Sequence, residues 1–108
     1  MLEEAVHVTD GLELENLRTA AELLRSGLSE LRDLAVDNAR LSYSLSASEG
    51  SYRQRLDMLT GTIELLAMSR DPARAHSLRE RARALTAQLA ADVDILASVA
   101  HYSFEWDS

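Results

Sequence analysis

The sequence predicts an all-α fold, an elongated antiparallel three-helix bundle with a long first helix, a short second and a long third, packed in coiled-coil fashion. Three observations predict it. Apolar residues recur at alternating steps of three and four through Leu14, Leu17, Ala21, Leu24, Leu28, Leu31, Ala35 and Leu45, with Asn38 and Ser42 in the same register. That spacing draws one narrow seam along a helix, the geometry of helix-on-helix packing. One Pro and four Gly in 108 residues leave few places for helices to break. A chain of this length supports one modest core, so residues 1–108 read as a single domain.

Residues 1–9 alternate weakly around Val6, His7 and Val8 and read as a lead-in. Asp10 followed by Glu13 has the form of a capping box, so helix 1 is expected over 10–47. From Leu12 that is roughly 50 Å of helix. Ser26-Gly27 lowers propensity within it, but the seam keeps its phase from Leu24 to Leu28, which reads as a close backbone contact and not a break. Arg18, Arg25 and Arg32 recur every seven residues beside the seam as flanking charges that help select a partner. Asn38 stands where the seam otherwise carries Leu. Either it fixes register or it sits where the bundle opens, and the second reading expects Asn38→Leu to stabilise the protein.

Ser46-Ala47-Ser48-Glu49-Gly50-Ser51 is small, polar and Gly-containing and reads as the first connector, with Ser51 and Gln54 as a second capping box. Helix 2 is expected over 51–70, with Tyr52, Leu56, Leu59, Ile63 and Leu66 on one face and Met58 and Leu65 widening it. Asp71-Pro72 restarts the chain, because Asp caps well and Pro suits the first helical position. Helix 3 is expected over 71–102, carrying Ala75, Leu78, Ala82, Leu85, Leu89, Val93, Leu96 and Val99. In residues 103–108 the aromatics Phe104 and Trp106 continue an alternation begun at Tyr102, which suggests an extended tail. Such a tail either staples its rings over the bundle end or serves as a docking peptide.

The helix lengths carry an assembly expectation. A short helix 2 would leave half of helix 1 (Leu14, Leu17, Ala21, Leu24, Leu28) and the end of helix 3 (Val93, Leu96, Val99) as uncovered apolar stripes. A two-fold axis would close both at once, so an antiparallel homodimer is expected through these residues.

Composition narrows the function classes. The chain carries 18 acidic and 11 basic residues, a formal charge of -7, with no basic run. Duplex binding draws on neutralised phosphates and anionic bilayers attract polybasic segments, so neither nucleic acid nor a membrane surface is an expected partner. An acidic decoy for a basic protein surface remains a reading of the same charge. There is no Cys, no basic-apolar leader at the acidic N-terminus and no run of about 20 apolar residues, which makes the cytoplasm the default expectation. All the basic residues are Arg, a bias typical of GC-rich bacterial coding.

The sharpest candidate for chemistry is His76, within Ala75-His76-Ser77-Leu78-Arg79-Glu80. This run resembles the motif of histidine phosphotransfer domains, in which His is followed three places on by a basic residue and then by Gly. The resemblance implies phosphorylation of His76 and stabilisation of the phosphoryl group by Arg79, with Glu80 standing where that family has Gly. A histidine-kinase dimerisation helix shows a similar His-x-Leu-Arg run, with an acid directly after the His where Ser77 stands here. A surface histidine explains the same residues without any task. His7, His76 and His101 share no ligand spacing, and the sequence holds neither a phosphate-binding Gly loop nor a nucleophile elbow. No catalytic residue, metal or cofactor is therefore expected. The function expected is a non-enzymatic interaction or assembly module that self-associates, similar in size and acidity to adaptors and chaperones, with the phosphotransfer module and the acidic decoy as alternatives.

Overall fold

In the computed structural model the chain forms three α-helices, α1 Leu2–Ala35, α2 Ala39–Met68 and α3 Pro72–Asp107. The structure describes the backbone of residues 2–107 and the side chains of residues 11–101. The helices are 34, 30 and 36 residues long, so the middle one is the shortest, and they pack into a rod of 59 × 23 × 17 Å. Two three-residue connectors, Val36–Asn38 and Ser69–Asp71, force consecutive helices to run antiparallel. Cross-helix contacts fix the register. Tyr52 and Thr60 of α2 meet Leu24 and Arg25 of α1, whereas Glu13 and Gly27 of α1 meet Arg83 and Val93 of α3 in parallel order.

The α1 seam packs inside its own chain. Leu17, Ala21, Leu24, Leu28 and Leu31 are buried in one cluster with Leu41, Leu45, Tyr52, Leu56, Leu59 and Ile63 of α2 and Ala82, Leu85, Leu89, Leu96 and Ala100 of α3. Leu14, Ala35, Val93 and Val99 are partly buried against it. The apolar stripes expected at Leu14, Leu17, Ala21, Leu24, Leu28, Val93, Leu96 and Val99, on which the homodimer surface rested, are thus not left exposed, because α2 is long enough to cover what a 20-residue helix would have left wet.

The first turn explains that extra length. It lies at Val36–Asn38 and not at Ser46–Ser51. The amides of Asp37 and Asn38 donate to the carbonyls of Leu34 and Ala35 at 3.3 Å each, tightening the end of α1. Asn38 then takes an extended conformation (φ -136, ψ 99) and its side-chain oxygen accepts from the Leu41 amide at 3.0 Å. It is the N-cap of α2, which accounts for a buried Asn in register with the seam.

Residues 46–51 stay helical because tertiary contacts outweigh their weak propensity. Leu45 and Tyr52 are buried on either side of them, the Ser48 hydroxyl donates to the Ser44 carbonyl at 2.9 Å, and Glu49 bridges Arg32 of α1 and Arg53 of α2. Asp10–Glu13 and Ser51–Gln54 are likewise helix interior, not caps, and Glu13 pairs instead with Arg83. Residues 2–9, read as a lead-in, have helical backbone in α1, and their side chains lie outside the described residues. At the second turn the Asp71 side chain accepts from the Ala73 amide at 3.1 Å, and α3 opens on Pro72. The backbone of α3 continues to Asp107, so residues 103–107 are helical where an extended tail was expected. The side chains of Tyr102, Phe104 and Trp106 lie outside the described residues.

Candidate interaction surface

Tyr52 is the polar anchor of the core. It is 1% exposed and its hydroxyl donates to the Leu24 carbonyl at 2.8 Å, tying α2 to α1. Burial, reinforced by the negative charge of Asp92, pushes its pKa up to about 12. Asp92 itself is held by Arg55 across the α2–α3 interface. Among the described residues no buried side-chain nitrogen or oxygen lacks a partner. The interior thus presents no polar group waiting for a ligand.

The sequence candidates for chemistry are scattered. His76 is exposed on the first turns of α3, and Arg79 lies half-buried at the edge of a groove between the two ends of the α2–α3 turn and Leu14. No three His, Asp or Glu side chains converge on a metal-sized position among the described residues. No helix there is long and apolar enough to cross a membrane. The acids are interleaved with Arg in local pairs, among them Glu15–Arg18, Glu80–Arg83 and Asp92–Arg55.

Among the described residues, large apolar side chains are exposed on α1 (Leu12, Leu23, Leu34), in the first turn (Val36) and on α3 (Ile95), and the longest row of them lies on α2. Its buried positions, from Leu41 through Leu45, Tyr52, Leu56 and Leu59 to Ile63, occupy one side. On the opposite side Tyr43, Ala47, Gly50, Gln54, Met58, Gly61, Leu65 and Met68 follow each other at steps of three and four, a second seam with no acidic residue in it. Four of these are large and solvent-facing: Tyr43 is 79% exposed, Met68 72%, Leu65 44% and Met58 40%. At the Tyr43 end a groove of about 700 Å³ runs between α2 and α3, lined by Tyr43 and Ser44 on one wall and Ile95, Ser98 and Val99 on the other.

Met58 and Leu65 are legible in the sequence as a broadening of helix 2, but Tyr43 is not, because the expected connector over 46–51 separates it from them, and Met68 joins the seam only as the last residue of α2. The signal was a second apolar register running in parallel with the core register through one helix. The flanking charges are asymmetric. On the α1 side of the seam lie Arg53, paired with Glu49 at 2.9 Å, and exposed Asp57, which has no ion-pair partner among the described residues. Set beside family models, curated proteins and solved structures, the chain matches none of them.

Proposed function

We propose that this chain is a non-enzymatic protein–protein interaction module whose contact surface is the outer face of α2. The observation that carries the reading is the uninterrupted acid-free seam from Tyr43 to Met68 on a chain of formal charge -7. None of these side chains belongs to the buried core cluster, and a strip of this length, apolar but for Gln54, on a small bundle suits a partner helix. The strip is about 40 Å long at 1.5 Å per residue, and one helix width across, which places the contact at the small end of specific interfaces. Weak, reversible association follows, the regime of an adaptor or assembly factor and not of a permanent subunit.

The double substitution Met58→Glu/Leu65→Glu tests it. Both positions face solvent in the monomer, so thermal unfolding should be nearly unchanged, while association of the chain with itself and with proteins captured from its source cell is lost. A control at Leu23→Glu, on the exposed side of α1, should leave association intact. Equal capture by all three proteins would refute the reading.

A further inference from the structure

Resting on that reading of α2, we infer that the occupant of the outer seam is a second copy of this chain, docked α2 against α2 in antiparallel order about a two-fold axis at Gln54. From Tyr43 to Leu65 the seam is symmetric about that residue, and Met68 lies beyond the symmetric stretch, with Arg40 at the matching position. Tyr43 and Leu65 lie eleven residues either side of it, Ala47 and Gly61 seven, and Gly50 and Met58 four. An antiparallel pair centred there sets Tyr43 opposite Leu65 of the second copy, Ala47 opposite Gly61, and Met58 over Gly50. Gln54 meets its own counterpart, where two amides can each donate and accept.

Size complements size in this register. A Cβ at Gly50 or at Gly61 would meet nothing within 4 Å in its own chain, so the monomer gives no steric reason for glycine at either place. Glycine in a helix interior is destabilising relative to alanine. A facing Met58 supplies a reason at Gly50, since close approach of the second helix uses the space a side chain would fill.

Charge agrees with the same axis. A two-fold perpendicular to the plane of two side-by-side helices brings like flanks together, so the flank bearing Arg53 and Asp57 faces its own copy. In the antiparallel register Arg53 then lies diagonally across from Asp57 of the second copy, and the contact is made twice. In a parallel pair the two-fold would run along the helices and set this flank against the opposite one, so Arg53 and Asp57 of the two copies would lie on opposite sides of the seam and make no such contact.

The chain has no cysteine, so single-cysteine proteins report this geometry without background. Gln54→Cys, treated with a short thiol-to-thiol crosslinker, should give a covalent dimer roughly tenfold faster than Thr19→Cys on the outer side of α1, since docking raises the local thiol concentration. A mixture of Gly50→Cys and Met58→Cys should yield mainly the mixed dimer. Homodimers of Gly50→Cys forming as readily as the mixed species would overturn the antiparallel register. Crosslinking of Gln54→Cys no faster than of Thr19→Cys would overturn self-docking altogether. The broader interaction reading is decided separately, by whether Met58→Glu/Leu65→Glu loses the proteins captured by the wild-type chain.

Discussion

Replacing Asn38 by Leu separates the two places where the chain could turn. If α1 continued past residue 38, Leu would extend the apolar seam and stabilise the protein. In the structure Asn38 is 8% exposed and its side chain caps α2 through the 3.0 Å bond from the Leu41 amide, on a residue whose own side chain is 0% exposed. Leu removes the acceptor and leaves that amide without its partner. Loss of an N-cap costs about 0.5–2 kcal/mol. A buried donor left unsatisfied falls in the same range, about 1–3 kcal/mol. The extra apolar surface that Leu buries offsets part of this, leaving a net loss of about 1 kcal/mol. For a domain of this size that lowers the melting temperature by roughly 4 °C. Circular dichroism melts of wild type, Asn38→Leu and Asn38→Asp form the assay. The Asp variant keeps the acceptor and places a negative charge at a helix N-terminus, so its melt should stay within a degree or two of wild type. A higher melting temperature for Asn38→Leu would refute the turn at Val36–Asn38 and with it the coverage of α1 by a full-length α2.

Two further substitutions probe the α1 contacts. Tyr52→Phe removes the hydroxyl that bonds the Leu24 carbonyl and should cost about 1 kcal/mol near neutral pH in chemical denaturation. Its effect on alkaline stability has a definite sign. The folded state keeps the Tyr52 proton up to about pH 12, while the unfolded chain loses it near 10.0, the ordinary value for tyrosine. Stability from this group is therefore fully present below pH 10 and falls as pH rises towards 12, by up to roughly 3 kcal/mol. The Phe variant lacks that component, so the initial gap of about 1 kcal/mol closes and then reverses across this window; parallel pH profiles would show that the Tyr52 environment is wrong. Gly27→Ala should stabilise by up to about 1 kcal/mol, because a Cβ there meets the Val93 methyl carbons at 3.7 and 4.0 Å, ordinary contact distances, while helix propensity improves. A drop in melting temperature would mean that α1 and α3 lie closer than described.

The parts of the fold that the sequence made legible are those where local and tertiary preferences agree. From Leu14 to Leu31 the three-four spacing, the helical propensity and the burial all coincide, and at Asp71-Pro72 a capping side chain and a first-turn proline mark the same boundary. The first turn was obscured because they conflict. Asn38 falls in phase with the seam, so its polar side chain reads as a defect in one helix instead of the beginning of the next. Residues 46–51 carry turn-like composition, yet Leu45, Tyr52 and the bridge from Arg32 to Glu49 hold them in α2. Misplacing that one turn made helix 2 half its real neighbour's length and moved the expected apolar surface onto α1 and α3. The outer seam of α2 was written in the sequence all along, but it becomes visible only when Tyr43 and Met68 belong to the same helix.

Sedimentation equilibrium tests directly whether the outer face of α2 is the contact surface. Wild-type protein should rise from its monomer mass of 11.9 kDa towards twice that value as concentration climbs through the micromolar range. The Met58→Glu/Leu65→Glu protein, with an unchanged melt, should stay at the monomer mass throughout. A wild-type chain that remains monomeric, or a double variant that associates equally well, would contradict the assignment of the contact surface to α2.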